Sequence, residues 1–359
     1  RVGRGRNLRS GADARGRRPA RRGACTPGRS RGGNLTSAPA EIEGRLHPLG
    51  LVVVARRFVG ASLVPALALF LSAGPRVVVD GCHIFVREEG QGDAVLLLHG
   101  VPSSSFLYRK MLPELAGHGL RAISFDFPGV GLSDKPKDLE YDWHALARWV
   151  DRLVDALELP PVHLVLHDVA GPIGAEWAIQ SPVKVKSITI TNTLLDVAHF
   201  TPAFPIWTFR VPVLRHLAFS TMNVPTMLRL FRHSGVKNPE TVDEDVLAAY
   251  IYLLQNNGGH RSFLRIMEGF DLSEAHRDFL RDGLLAIDKP MQLVWGEQEI
   301  AIPKAQLHYI KQVFPLRATH MVDARHFLQE EHPAVISAHI AAFVKDIAEE
   351  PKRATNAPD

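Results

Sequence analysis

Short apolar runs, each the length of a strand and most followed by a stretch with helical spacing, recur from residue 94 onward. Residues 94–98, 120–125, 162–167, 185–191 and 291–295 form such runs, with a shorter one at 319–322. Strands buried on both faces of a parallel sheet read this way, because helices cover each face and leave little room for polar alternation. The intervening stretches space apolar residues three and four apart. Leu107, Met111, Leu112 and Leu115 share one face behind a cap at Ser104 or Ser105, and residues 143–157, 304–313 and 333–348 are also read as helices. The alternation predicts an α/β fold: a doubly wound, mostly parallel sheet with right-handed crossovers. Ahead of it, residues 76–80 and 82–87 read as two strands joined through Asp80-Gly81, a hairpin signal.

Between Asp196 and Leu285 the alternation stops. Residues 211–219, 242–254 and 261–270 have helical spacing and are linked by Pro, Asn and Gly. An inserted helical cap placed over the strand ends, excluding water from them, fits this stretch. The expected organisation is a core in two parts, 76–195 and 286–350, interrupted by a cap at 196–285 and followed by a tail at 351–359.

Composition changes the picture chiefly at the front end. The first 33 residues hold eleven arginines against Asp13, so the whole-chain charge of +4 belongs to the tail and the remainder is acidic. No basic face for nucleic acid is expected in the folded part. Residues 1–48 read as a disordered basic tail. Residues 49–75 follow as an apolar segment: Arg56-Arg57, then an uncharged run from Phe58 to Gly74 ending in small residues. That pattern matches a secretory signal or, with residues 51–54, a membrane anchor, against the alternative of a helix lying on the domain. Export or membrane association is the expectation if the segment is genuine, and a cytoplasmic location otherwise. Two cysteines, Cys25 and Cys82, are too few for a disulfide framework or a cysteine metal site. No glycine-rich nucleotide loop occurs, and neither cofactor nor metal is expected.

The candidate chemistry sits where the run at 162–167 gives way to the small-residue helical face of Gly171, Gly174, Ala175 and Ala178. Asp168 stands at that changeover, the place of the nucleophile in a strand-turn-helix elbow usually written G-x-S-x-G. The bland reading makes Asp168 a helix N-cap. Two later turns argue against it. After the strand at 291–295 come Gly296 and then Glu299, with Glu297 as a solvated neighbour; after 319–322 comes His326 on the turn into the last helix. Nucleophile, acid, histidine is the chain order of the α/β-hydrolase triad. Asp196, after the strand at 185–191, is the reserve acid.

On these residues the chain resembles the α/β-hydrolase superfamily, and within it the haloalkane dehalogenase and epoxide hydrolase branch with an Asp nucleophile. His99-Gly100-Val101-Pro102 with 104–113, the loop 126–136, His167-Asp168 with Gly171, and 323–329 carry the likeness, which spans 76–348. The resemblance implies a cofactor-independent hydrolase with a helical cap, acting on a small apolar molecule and water. It further implies an alkyl ester on Asp168, hydrolysed by water that His326 activates and Glu299 orients, with the Val101 and Val169 amides as oxyanion hole. One departure matters: haloalkane dehalogenases place Trp after the nucleophile as a halide donor, and Val169 stands there. Trp207, Tyr250 and Tyr252 in the cap are the candidate leaving-group donors, ordinary cap packing being the alternative for each. Carbon–halogen hydrolysis is the leading expectation, epoxide hydrolysis the alternative, and a catalytically degenerate binding protein of the same fold the rival from another class.

Overall fold

A twisted sheet of eight strands forms the middle layer of the structure, a computed structural model that describes residues 67, 70, 74–201 and 206–355. The basic tail expected at 1–48, and the signal-like segment at 49–75 apart from Leu67, Phe70, Gly74 and Pro75, lie outside the described residues. The strands are β1 (Arg76–Val79), β2 (Cys82–Glu89), β3 (Ala94–Leu98), β4 (Arg121–Phe125), β5 (Val162–Asp168), β6 (Val185–Thr193), β7 (Met291–Gly296) and β8 (Leu316–Val322). Their order across the sheet is β1-β2-β4-β3-β5-β6-β7-β8. β1 and β2 form the expected antiparallel hairpin, β2 meets β4 antiparallel, and every later pairing is parallel.

The helices of the layers beside the sheet are α1 (Met111–Gly117), α2 (Trp143–Ala156), α3 (Ala170–Gln180), α8 (Glu274–Ala286), α9 (Lys304–Val313) and α11 (Pro333–Thr355). Between β6 and α8 the described elements are all helical, with α4 (Arg215–Ser220), α5 (Val224–Leu230), α6 (Glu244–Gln255) and α7 (Gly259–Glu268) as the α-helices. The short α10 (Leu328–Glu331) follows the His326 turn. Among the described residues, no helix is long and apolar enough to cross a membrane.

Burial explains the sheet. Every residue of β3 is fully buried, and β5 is buried up to Asp168, which matches their unbroken apolar sequence. β8 differs. At the sheet edge its residues up to Met321 alternate between half-buried and exposed, so the charged, exposed Arg317 broke the apolar run and the sequence placed the start three residues late, at Thr319.

Two helices also differ from expectation. Residues 104–115 do not form one helix: a 3-10 turn at Ser105–Tyr108 precedes α1. Buried Asp126 accepts both the Ser105 N–H at 2.8 Å and its hydroxyl at 2.6 Å, and Tyr108 donates to the Leu98 carbonyl at 2.8 Å, so the first turn is tied to the sheet edge. The last helix runs to Thr355 rather than ending near 348.

β3 has its sequence successors on opposite sides, β4 on one and β5 on the other. That reversal opens a crevice at the carboxyl ends of β3 and β5, where ligands of doubly wound sheets bind. Gly100 leaves β3 and Asp168 ends β5 there, so close that a Cβ on Gly100 would lie 2.3 Å from the Cβ of Asp168. The helices from 206 to 268 face this edge. Phe231 stacks on Phe327 with ring centroids 4.6 Å apart, and the Gly235 carbonyl accepts the Phe327 N–H at 2.8 Å. α8 instead packs along α3, where Gly283 leaves room for Ile179.

Candidate active site

Asp168 holds a left-handed backbone, φ +53°, on the turn from β5 into α3. Such a conformation costs a non-glycine residue about 1–3 kcal/mol and persists only where the surroundings impose it. They do: a Cβ on Gly171 would fall 1.9 Å from the Thr193 hydroxyl and one on Gly174 2.3 Å from Leu166, so only glycines let α3 start this close to the sheet. Thr193 donates to the Asp168 carbonyl. The helix cap position falls on Val169, so Asp168 does not serve as N-cap.

The two carboxylate oxygens have different partners. Oδ1 accepts the Val101 N–H at 3.0 Å, and the Val169 N–H also bonds to the carboxylate. Oδ2 lies 3.5 Å from His326 Nε2. Burial alone would raise the pKa of Asp168, but the His326 hydrogen bond and charge and the Val169 amide outweigh it and hold the group below the usual carboxylate range.

His326 is buried on the turn after β8, and its Nδ1 lies 2.8 Å from Glu299 Oε2. Glu299 is fixed in turn, because its Oε1 accepts the Ala301 N–H at 2.5 Å and the Ile302 N–H at 3.0 Å. The longer glutamate arm is therefore folded back onto its own loop, while Glu297 is exposed. Burial works against an imidazolium, yet the Glu299 charge and the Asp168 hydrogen bond more than compensate and lift His326 to about 10. The resting site is a cation held between two carboxylates.

Two residues to which the sequence assigned no role set this geometry. Asn192 donates its amide to the Arg325 and His326 carbonyls at 2.9 and 3.1 Å and accepts the Gly296 N–H at 2.8 Å, so one side chain joins the turns that carry Glu299 and His326. His167, kept neutral by burial with a pKa of about 3, bonds through Nε2 to the His326 carbonyl at 3.0 Å. A polar residue at the carboxyl end of a buried strand was the available signal for both.

The other candidates lie elsewhere. Trp207 is 47% exposed and makes no described hydrogen bond to the triad. Tyr252 is half-buried within the field of Arg76 on β1. Asp196 pairs with His199 at 2.9 Å, which leaves Glu299 as the acid on His326. Tyr250 donates to Glu330 Oε1 at 2.7 Å, and Glu330 is further held by Arg109 at 2.8 Å and Lys110 at 3.0 Å. That buried group fastens α6 to the turn beyond His326, another role unseen in the sequence. The space beside the Val101 amide is walled by Pro102, Val130, Leu254 and Phe263 and measures about 10 Å³, room for one water molecule.

A Ser- or Asp-based elbow, an acid and a histidine at the carboxyl edge of this sheet define an α/β-fold hydrolase. Residues 93–333 match the model of the α/β hydrolase fold family, and the chain belongs to that family. It is 28% identical over 297 residues, 79% of this chain and 90% of the relative, to a cis-3-alkyl-4-alkyloxetan-2-one decarboxylase of Shewanella oneidensis. It is 28% identical over 291 residues, 75% of this chain and 90% of the relative, to a haloalkane dehalogenase of Mycolicibacterium smegmatis. The epoxide hydrolase VrEH1 of Vigna radiata superposes with a TM-score of 0.64 at 20% identity, covering 76% of this chain and 97% of that one, a likeness of fold alone. The chain is a hydrolase, with dehalogenase relatives and epoxide hydrolase structural neighbours.

Proposed function

We propose that this hydrolase works through an alkyl ester on Asp168 and acts on a small apolar electrophile, with carbon–halogen hydrolysis the leading reaction. The observation that carries the reading is the split of the Asp168 carboxylate: Oδ1 rests on the Val101 amide while Oδ2 is left facing His326. In the first step Oδ2 attacks the saturated carbon, the C–O bond forms, and the halide leaves with the bonding pair. The new ester carries no charge, so the attraction that held a proton on His326 weakens and that proton passes to solvent. Neutral His326 then takes a proton from water attacking Cγ. Negative charge collects on Oδ1, where each amide donor is worth about 2.7–4 kcal/mol. Collapse expels the alcohol oxygen, which takes the proton back from His326, and the remaining water proton passes from the new Asp168 carboxyl to His326, restoring the resting pair. The sum is a halide, a proton and an alcohol from a haloalkane and one water.

A halide leaves without being protonated, whereas an opening epoxide needs an acid, and the Tyr250 hydroxyl is already committed to Glu330. This ordering favours halides over epoxides. A second reading rests on Val101 and Val169, whose side chains offer a halide no donor. A strained four-membered cyclic ester, the kind of substrate named by the Shewanella relative, releases a carboxylate that needs none.

The test is intact-mass measurement of the His326→Ala protein after incubation with bromoalkanes, epoxides and oxetan-2-ones separately. An adduct of the alkyl mass, absent from the Asp168→Ala protein, is expected from the bromoalkane panel. An adduct only from the cyclic esters moves the assignment to the second reading, and one only from epoxides moves it to epoxide hydrolysis. No adduct from any panel on folded protein removes the covalent mechanism and leaves a binding protein of the same fold.

A further inference from the structure

The outer side of the cap carries a surface that the proposed reaction does not use. Of the eleven large apolar side chains exposed among the described residues, four fall between residues 207 and 217: Trp207 at 47%, Val213 at 86%, Leu214 at 37% and Leu217 at 67%. Scattered exposed apolar residues need no account, whereas a cluster of them marks a contact surface. Trp207 sits on a 3-10 turn at Ile206–Arg210, and the Leu214 and Arg215 N–H groups donate to the Val211 carbonyl at 3.0 and 2.9 Å, which leads the chain helically into α4. Helical spacing puts Val213, Leu214 and Leu217 on one face. The same segment is fixed on its inner side, where Phe209 and Phe219 both pack on Phe263 of α7 with ring centroids 5.1 and 5.6 Å away. Phe263 is a wall of the space beside the Val101 amide.

Charge says what covers this face. Residues 197–239 hold Arg210, Arg215, Arg229, Arg232 and Lys237 and not one Asp or Glu, in a chain whose folded part is otherwise acidic. Glu268 on α7 pairs with Arg215, and Asp323 pairs with Lys237. Arg210, Arg229 and Arg232 have no carboxylate partner among the described residues, and neither has the exposed Arg261. Arg210 lies one 3-10 turn beyond Trp207. On the other flank the His260 ring is 5.9 Å from Phe219, within the fields of both Arg261 and His216. We propose that this face of the cap docks on an anionic phospholipid bilayer, with Trp207, Val213, Leu214 and Leu217 entering the headgroup region and the unpaired arginines meeting lipid phosphates. Apolar insertion and attraction between basic side chains and anionic lipid add in such a contact, and an indole is at home at headgroup depth. A second copy of the chain fits less well, because a two-fold contact would set the same unpaired arginines against each other.

The position gives the contact its use. The segment that meets lipid on its outer side packs on a wall of the crevice with its inner side, so a docked cap stands between the site and a reservoir of apolar molecules. That consequence rests on the apolar substrate proposed above, whereas docking itself does not depend on it.

The chain supplies its own reporter. Trp143, Trp149, Trp177 and Trp295 are buried, so Trp207 is the one exposed tryptophan. The full chain is mixed at low salt with vesicles of brominated phosphatidylcholine and phosphatidylglycerol in a two-to-one ratio, and tryptophan emission is read together with the protein that pellets with the lipid. Emission is expected to be quenched by the bromine, and the quenching to vanish in Trp207→Phe. In Val213→Ser/Leu217→Ser, two exposed substitutions with little effect on the melting temperature, quenching is expected to fall at least about threefold. Brominated phosphatidylcholine alone, or molar salt, is expected to abolish it. Because the readout is local to Trp207, binding through residues 1–75 does not imitate it. Unquenched emission from protein that pellets with the anionic vesicles, or no pelleting at all, overturns the proposal. So does equal quenching by the neutral vesicles, which removes the part played by charge. A dimer in sedimentation velocity that Val213→Ser/Leu217→Ser dissolves also overturns it, giving the face to a second copy.

Discussion

Asp168→Asn isolates the charge that holds the proton on His326. Asparagine tolerates the left-handed backbone at this elbow, so the substitution removes a charge and keeps the turn. A unit charge 3.5 Å from His326 Nε2 acts with about 4.7 kcal/mol at an effective dielectric of about 20, which corresponds to roughly 3.5 pK units. His326, near 10 in the wild type, is therefore expected at about 6.5 in the Asn variant, where Glu299 alone still supports the imidazolium. Histidine-selective ¹⁵N labelling with long-range ¹H–¹⁵N correlation spectra across a pH titration reads the value, and the His326→Ala protein identifies the resonance. If His326 stays above about 9 in Asp168→Asn, its proton is held by Glu299 without help from the nucleophile, and forming the ester cannot switch the histidine from acid to base.

Gly100→Ala places a methyl group 2.3 Å from both Cβ and Oδ1 of Asp168; kcat/KM is expected to fall by at least about 100-fold, and urea unfolding to register an overpacking loss of about 1–3 kcal/mol. Glu330→Ala leaves Arg109, 13% exposed, without its buried partner, and urea unfolding is expected to register a loss of about 3–5 kcal/mol. Because His326 is raised from 6.5 to about 10 in the folded state, its stabilising contribution is complete below pH 6.5 and is lost as pH climbs toward 10; urea midpoints of wild type and His326→Gln should converge over that window. Single-turnover hydrolysis of the ester runs the opposite way, rising with pH through a His326 pKa below that of the resting enzyme, because the neutral imidazole is the base. With no side-chain halide donor at Val101 or Val169, alkylation rates in stopped-flow should fall steeply from iodide to bromide to chloride, and a flat series would mean that an undetected donor assists departure.

The parallel strands, and the turns that bring Asp168, Glu299 and His326 together, were legible because each leaves a local mark. A fully buried strand has an unbroken apolar run, and Asp168, Glu299 and His326 each follow such a run or its turn, in the order their chemistry requires. The edge strand β8 was shortened in the reading because water covers part of it. The 104–115 stretch was read as one helix because the partner that breaks it, Asp126, acts from a distant loop and leaves no trace in the spacing of the leucines. The cap residues were the least legible. Tyr250 carries a suitable hydroxyl, but whether that hydroxyl meets substrate or Glu330 depends on how α6 settles on the turn beyond His326, a contact 80 residues apart in the chain. Asn192 shows the opposite case, a polar residue that sequence periodicity treats as the end of a strand and packing turns into the tie between two catalytic turns.

On the proposed alkyl-ester mechanism, the unequal footing of the two Asp168 oxygens gives a one-turnover memory of the solvent. Oδ1 is pinned by the Val101 amide, so on that mechanism the oxygen handed to the product is the one at Oδ2, and the incoming water refills that same place. An enzyme made in ordinary water and moved into ¹⁸O-water should release its first alcohol with light oxygen and every later one with heavy oxygen. The first product dates the protein, and the second dates the buffer.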